Sequence, residues 1–190
     1  MKSEIPSLRT SRLLLSAFQS ADAEAVYHYA SNPNVAKTVS WNRHSSKEDS
    51  AGFIQFVRSK YCFKKGKLFH CWAIRKKEDA VAIGSISFIQ LSERVGRVDY
   101  ALSESEWGNG IVTEAANAVI DWAFQAILEL QVVKSGGLSE NAASLRVMEK
   151  CGMRLEKNYR VRFPKFNNEE REVSDYKVTR EAFWRSRTGK

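Results

Sequence analysis

The chain has 190 residues, 43% of them hydrophobic, and 30 Lys+Arg against 22 Asp+Glu give a formal net charge of +8. That composition excludes a disordered chain, and a chain of this length buries a full core without disulfide staples. No run of about eighteen consecutive apolar residues occurs and the opening MKSEIPSLRT lacks an apolar signal core, so neither a membrane span nor a secretory leader is expected.

The weak alternation of SLRTSRLLLSAF predicts an opening strand from Leu13 to Phe18. A helix follows over SADAEAVYHYAS, with Ser20 as N-cap, Asp22 and Glu24 in the first turn, and Asn32-Pro33 as its stop. Ser46 and Asp49 have the spacing of a capping box, and Phe53, Phe56, Val57 and Tyr61 then recur at helical spacing until Lys64–Gly66. The segments LFHCWAIRKK and VAIGSISFIQ flank a charged turn and predict an antiparallel hairpin, and GRVDYALS (96–103) predicts a third strand.

After EWGNGIVTEA (106–115) comes a long helix, expected from about Thr113 to Leu130, with Ala116, Val119, Ile120, Ala123, Phe124 and Ile127 inward. QVVKSGGLS reads as a short strand with a glycine break. NAASLRVMEKCG reads as a helix with Leu145, Met148 and Cys151 inward and Gly152 after its last turn. The tail segments MRLEKNYRVRFP and EVSDYKVTREAFW both read as strands. This order predicts one mixed α/β domain over residues 1–190, with a βαβ crossover around residue 110 that contributes a local parallel strand pair.

Gly108 and Gly110 stand just before the long helix. A helix N-terminus carries free backbone N–H groups and a partial positive charge, and glycines there let those groups converge on an anion. Thr113 adds a hydroxyl. Neither G-x-x-x-x-G-K-[ST] nor a complete G-x-G-x-x-G is present, so a purely structural turn is the competing reading.

The run WGNGIVTEA, followed about thirty residues on by Asn141, Ser144, Glu149, Lys150, Gly152 and Met153 of NAASLRVMEKCGM, resembles the GNAT superfamily of acyl-CoA-dependent N-acetyltransferases. The likeness is greatest to its RimJ/RimL branch, which acetylates N-terminal amines of ribosomal proteins, and SDYKVTREAFW resembles that branch's closing strand. The resemblance implies a GNAT fold: a mixed, mostly antiparallel central sheet with helices on both faces and a splayed strand pair that binds acyl-CoA. It implies acetyl-CoA as the acetyl donor, no metal, a primary amine as acceptor and, as possibilities, a ribosomal-protein partner and a homodimer. Trp107, Gly108, Asn109, Gly110, Ile111, Val112 and Thr113 would form the pyrophosphate loop. Val112 departs from the usual small residue, and Met153 from the usual Phe.

By the same resemblance Ser144 is the acid near the sulfur, with Asn141 one turn before it as helix cap and pantetheine contact; a plain first-turn helix residue behind the Asn141 cap is the alternative for Ser144. Ala101 and Leu102 offer backbone to pantetheine and the acyl carbonyl. Lys150, with Arg146, is a candidate for the 3′-phosphate of coenzyme A, against the plain reading of an exposed helix cation. For the base, His70 occupies the strand where RimL-like enzymes carry a carboxylate, and its reference pKa near ~6.5 suits proton transfer; a structural strand histidine is the alternative, and Glu106, Asp99 and Tyr100 are further candidates. Trp41, Trp72 and Tyr100 are expected around the acceptor pocket, Phe53, Phe56 and Met148 in the core, and His28 and His44 at the surface.

Cys62, Cys71 and Cys151 are odd in number and lack metal-ligand spacing, which predicts a reduced, cytoplasmic protein with buried thiols. The basic charge is scattered, and no zinc-finger or RNP motif accompanies it, so nucleic-acid binding rests on charge alone. A small-amine acceptor, such as an amino acid or antibiotic, and a non-catalytic acyl-CoA-binding module remain as alternatives.

Overall fold

The structure, a computed structural model, describes residues 5–60 and 68–188. The expected helix end at Lys64–Gly66, with Tyr61 and Cys62, lies outside them. Eight strands form one sheet in the order β1-β2-β3-β4-β5-β6-β8-β7. They are β1 (Leu8–Arg9), β2 (Leu13–Ala17), β3 (Phe69–Lys76), β4 (Gly84–Gln90), β5 (Val95–Leu102), β6 (Val132–Leu138), β7 (Arg154–Phe163) and β8 (Glu169–Thr179). Neighbours run antiparallel except β5 and β6, which are parallel. The helices are α1 (Ala23–Ala30), α2 (Pro33–Ala36), α3 (Lys47–Lys60), α4 (Ile111–Ala126), α5 (Ala142–Lys150) and α6 (Arg180–Thr188).

Strand alternation divides the sheet into two faces. One face sends Leu13, Leu15, Trp72, Ile74, Ile86, Phe88, Val98 and Val133 into a core with α4, α5 and α6, whose inward residues include Val119, Ile120, Phe124, Met148 and Phe183. The other face sends Cys71, Ala73 and Ala101 into a second core with Val26 and Tyr29 of α1 and Ile54 and Val57 of α3. Asp22 and Arg75 fasten α1 to β3 with a buried double hydrogen bond at 2.9 and 2.7 Å. Helices α1 and α3 pack over the β2–β5 half of that second face; toward β6–β8–β7 it opens into a cleft.

Several local readings shift. Ser20 opens a 3-10 turn and does not cap α1; the Gln19 N–H is met by Asp22 Oδ2 at 2.7 Å. Pro33 ends α1 as expected but then starts α2, where Asn32 accepts the Asn34 N–H at 2.8 Å. Ser46 and Asp49 do cap α3 reciprocally, at 3.4 and 3.2 Å. Helix α4 begins two residues before Thr113, because Gly110 already supplies the left-handed turn at φ +72°, and it ends at Ala126. Strand β6 runs through Gly136 and Gly137 without a break.

The largest departure is the tail. REAFW is helix α6 and not strand. Thr179 Oγ1 accepts the Ala182 N–H at 3.2 Å, Phe183 buries against Phe124 at 5.4 Å, and the Arg180 guanidinium takes the carbonyls of Leu130 and Ile127, each at 2.7 Å. A cation on carbonyls at and beyond the C-terminus of α4 holds the two helices together.

Candidate functional site

Strands β5 and β6 pair only over Val95–Arg97 and Val132–Lys134, then part. The Ser103 N–H bonds to Ile83 O and the Leu91 N–H to Val95 O, so the odd-numbered backbone groups of β5 face β4. Tyr100 and Leu102 therefore turn their backbone groups toward the gap. Likewise the Ser139 N–H bonds to Glu172 O, which leaves Gly136 and Leu138 facing the gap from β6. Ala101, expected beside Leu102 as a backbone contact, is paired to Ser85 of β4 and contributes its methyl group to the cleft instead.

The 3-10 turn Glu104–Glu106 and the loop Trp107–Gly110 lead from β5 into α4. The Trp107 indole N–H bonds back to Leu102 O at 3.0 Å. Gly108 and Gly110 have φ of +79° and +72°, a conformation that other residues rarely adopt. The first intrahelical bond runs from the Glu114 N–H to Gly110 O, so the N–H groups of Ile111, Val112 and Thr113 precede the helix ladder. The Val112 side chain, only 9% exposed, packs into the core with α4, so its branch does not crowd the loop's outer surface. Glu114 anchors the loop from behind: it accepts from Ser11 Oγ and the Arg12 N–H at 3.0 and 2.9 Å, and Arg12 also reaches Asn109 O at 3.0 Å. Burial alone would push its carboxyl up, but hydrogen bonds from Thr10, Arg12 and Ser11 hold it down at about 2.

On the α4–α5 side of the gap, Asn141 caps α5 by accepting the Ser144 N–H at 3.1 Å. Ser144 Oγ lies 3.0 Å from the Tyr100 hydroxyl, which donates at 3.1 Å to Ser144 O if it is not serving the Oγ. Burial raises the Tyr100 pKa. Exposed Arg146 and Lys150 line the same end of the cleft.

On the opposite side lies Asp99, bonded by Arg97 Nε at 2.8 Å, with Asp175 Oδ1 3.7 Å from Arg97 Nη1. One guanidinium thus serves two carboxylates. Burial raises the pKa of Asp99, and the Arg97 charge opposes that shift. Gly136 is a glycine because Asp175 crosses it: a Cβ there would collide with Asp175 Oδ1. The cleft, about 730 Å³, is lined by Arg97 and Asp99 of this cluster and runs through the gap to the loop and α5. Its outer walls are apolar, from Val39, Trp41 and Phe53 on one side and Val161, Phe163 and Phe166 on the other.

The model of the acetyltransferase (GNAT) domain family matches residues 12–154. The chain belongs to the GNAT acetyltransferase family. An uncharacterized N-acetyltransferase of Bacillus subtilis, YoaA, is 29% identical over 80% of this chain and 84% of its own length. A GNAT-family acetyltransferase structure from Bacillus anthracis superposes with a TM-score of 0.81 at 25% identity, over 93% of this chain and 99% of that one. A ribosomal-protein-S5-alanine acetyltransferase from Vibrio fischeri shares the fold at a TM-score of 0.75 and 19% identity, over 92% of this chain and 97% of that one.

Within the GNAT frame the expected residues separate. Trp107, Gly108, Gly110, Ile111, Val112, Thr113, Leu102, Asn141, Ser144 and Lys150 all border one continuous cleft, and Asn109 joins them through its loop. His70 does not. It sits on the α4 face of β3, 4% exposed, with its ring 5.4 Å from Trp72 and 5.3 Å from Trp122. The sheet separates it from Asp99, and burial lowers its pKa. Trp72 is likewise core and not pocket, with its indole N–H on Pro6 O at 2.6 Å. Conversely Phe56, expected in the core, is 55% exposed at the cleft. Glu106 reaches the cleft but is held by Lys76 at 2.8 Å. Arg97, Asp175 and the β7–β8 aromatics were not singled out in the sequence, since they converge from separate strands and only an Arg-x-Asp step at Arg97–Asp99 gives a local hint.

GNAT enzymes take their acyl group from acetyl-CoA, and the chain is an acetyl-CoA-dependent N-acetyltransferase of this family. The residues present fit that group. The parted strands offer unpaired backbone edges, and the 16-residue helix α4 presents three leading N–H groups behind two glycines. Among the described residues no group of three or more His, Cys, Asp or Glu is placed to hold a metal ion, and no helix is long and apolar enough to cross a membrane.

Proposed function

We propose that the protein acetylates the α-amine of a protein or peptide, in the manner of the RimJ/RimL branch. The observation that carries this reading is the placement of a carboxylate and a hydroxyl pair on opposite sides of the β5–β6 gap. The N–H groups of Ile111, Val112 and Thr113 bind the pyrophosphate, Leu102 and Tyr100 offer backbone to pantetheine and the acyl carbonyl, and Lys150 with Arg146 meets the terminal phosphate. Acetyl-CoA supplies the thioester acyl group: the N–C bond forms as the C–S bond breaks.

Asp99 receives a proton from the incoming ammonium and passes it to solvent. Its raised pKa makes it a better acceptor than an ordinary surface carboxylate, and an α-amine near ~8 asks less of it than a lysine near ~10.4. Ser144, held by Asn141 and Tyr100, donates a proton to the departing sulfur and is reprotonated, through the Tyr100 hydroxyl or water, by the second proton that the nitrogen sheds as the amide forms. Of the amine's two protons, one leaves to solvent through Asp99 and the other replaces the one given to the sulfur. The test is thiol release with N-terminal peptides, lysine side-chain amines and small amines. Peptide α-amines should lead in kcat/KM; turnover confined to small amines overturns the acceptor assignment.

A further inference from the structure

The acceptor half of the cleft has a chemical character of its own. Its floor holds Asp99 and Arg97, and the same guanidinium also faces the buried Asp175, so two carboxylates share one cation and the local balance is negative and suits an ammonium. Asp175 is 8% exposed, and its Oδ1 has no hydrogen-bond partner among the described residues. Above the floor the walls are apolar. Trp41 and Phe53 are set by His44, whose ring stands 5.4 and 6.2 Å from theirs and whose Nδ1 meets Ser50 Oγ at 2.8 Å. Phe163 and Phe166 pack edge to face at 6.0 Å on the other side.

Two cations on this side, among the described residues, are already engaged. Arg97 is spent on the two carboxylates. Lys165, on the β7–β8 turn, spans from one wall to the other: its ammonium bonds to Ala36 O, Val39 O at 2.7 Å and Trp41 O at 3.0 Å, and lies 4.8 Å from the Phe166 ring centre. Three carbonyls match the three donors of an ammonium, so nothing remains for a ligand anion. An acceptor carboxylate would therefore meet Asp99 with Arg97 and Lys165, the cations beside it among the described residues, both already occupied. The volume, about 730 Å³ shared with the cofactor arm, is in the range of small-ligand pockets at ~300–1,000 Å³.

We infer that the acceptor is a primary amine flanked by a bulky apolar group and without a free carboxylate next to it: a peptide α-amine whose first side chain is aromatic or branched aliphatic. The inference rests on the N-acetyltransferase reading and narrows its acceptor. The amine sits over Asp99, the first side chain enters between Trp41 and Phe163, and the carboxyl is neutralised as the first peptide bond. A free arylalkylamine shares this chemistry, and the two sources are separable.

The experiment measures kcat/KM of the full chain with acetyl-CoA for tetrapeptides beginning Phe, Leu, Ala or Ser, and for phenylalaninamide, phenylalanine and phenethylamine. The Phe and Leu peptides should exceed the Ala and Ser peptides by about tenfold or more, mainly through KM, and phenylalaninamide should exceed phenylalanine by a similar factor. In Phe163→Ala the preference for Phe over Ala should shrink severalfold while acetyl-CoA affinity by calorimetry holds. Peptide turnover indifferent to the first side chain, or phenylalanine equal to its amide, overturns the inference and leaves the N-terminal reading standing. Phenethylamine turnover without peptide turnover overturns the N-terminal reading and the peptide source with it. Acetyl-CoA binding with no turnover of any of these amines overturns both.

Discussion

The two ends of the cleft are built by different means. At the cofactor end two short stretches of backbone do the shaping: two positive-φ glycines, three leading N–H groups and a capped second helix, all within Trp107–Thr113 and Asn141–Ser144. At the acceptor end the shape comes from side chains contributed by β5, β7, β8, α3 and the segment after α2. A backbone site tolerates most side-chain changes but not a change of φ. A side-chain site depends on each group separately, and the same scaffold takes new acceptors when those groups change.

The sharpest way to separate the ends is Asp99→Asn. It removes the proposed proton acceptor and leaves the loop untouched, so kcat should fall by about 10²–10³-fold while acetyl-CoA affinity stays constant. The pH profile carries the sign. A base works only when deprotonated, and burial raises the Asp99 pKa, so wild-type kcat should fall as pH drops through a value above the usual carboxylate range near ~3.9. The variant should lose that limb; an unchanged kcat or limb removes Asp99 from the mechanism. The complementary change is Gly110→Val. A β-branched residue at φ +72° is strained and displaces the leading N–H groups, so calorimetry should show acetyl-CoA affinity reduced about tenfold or more. An unaltered affinity would mean that the loop geometry is not what holds the cofactor.

This contrast also explains what the sequence revealed. The strand order, the βαβ unit and the helix caps at Ser46 and Asn141 were legible because each is a local pattern of period, cap or glycine. The REAFW tail was not: its alternation continues the strand, and only the pull of Arg180 on carbonyls past the end of α4 and of Phe183 on Phe124 turns it helical. In the site, Gly108, Gly110, Asn141 and Ser144 announced themselves by motif spacing. His70 and Asp99 differ only in which sheet face they occupy, and that is set by the register of β3 against β4 and β5, which no short window records. Gly136 read as a strand break because the residue that requires it, Asp175, lies 39 positions later.

A smaller effect is expected at the boundary between the two ends. Ser144 touches Tyr100 across the gap and stands beside Gly137. Ser144→Ala keeps the Asn141 cap, since the bond is to the Ser144 backbone N–H. Its kcat should drop about tenfold, as water and Tyr100 partly replace the proposed proton donor, with acetyl-CoA affinity unchanged. A loss of affinity equal to the loss of kcat would show Ser144 to be a cofactor contact and not an acid.

The least effect on chemistry belongs to His70→Gln, and it is informative for that reason. His70 has the right residue type for a base and the wrong side of the sheet. Its ring fills the space between Trp72 and Trp122 under α4, and burial holds its pKa below the ordinary value, so it is neutral at pH 7. Loss of that packing should lower stability by about 1–2 kcal/mol, read as a fall in the denaturant midpoint. The pH–rate profile should keep its shape, because the ring lies on the α4 face of the sheet, away from Asp99. A profile that loses its acid limb in His70→Gln and retains it in Asp99→Asn would exchange the roles of the two faces and move the chemistry beneath α4.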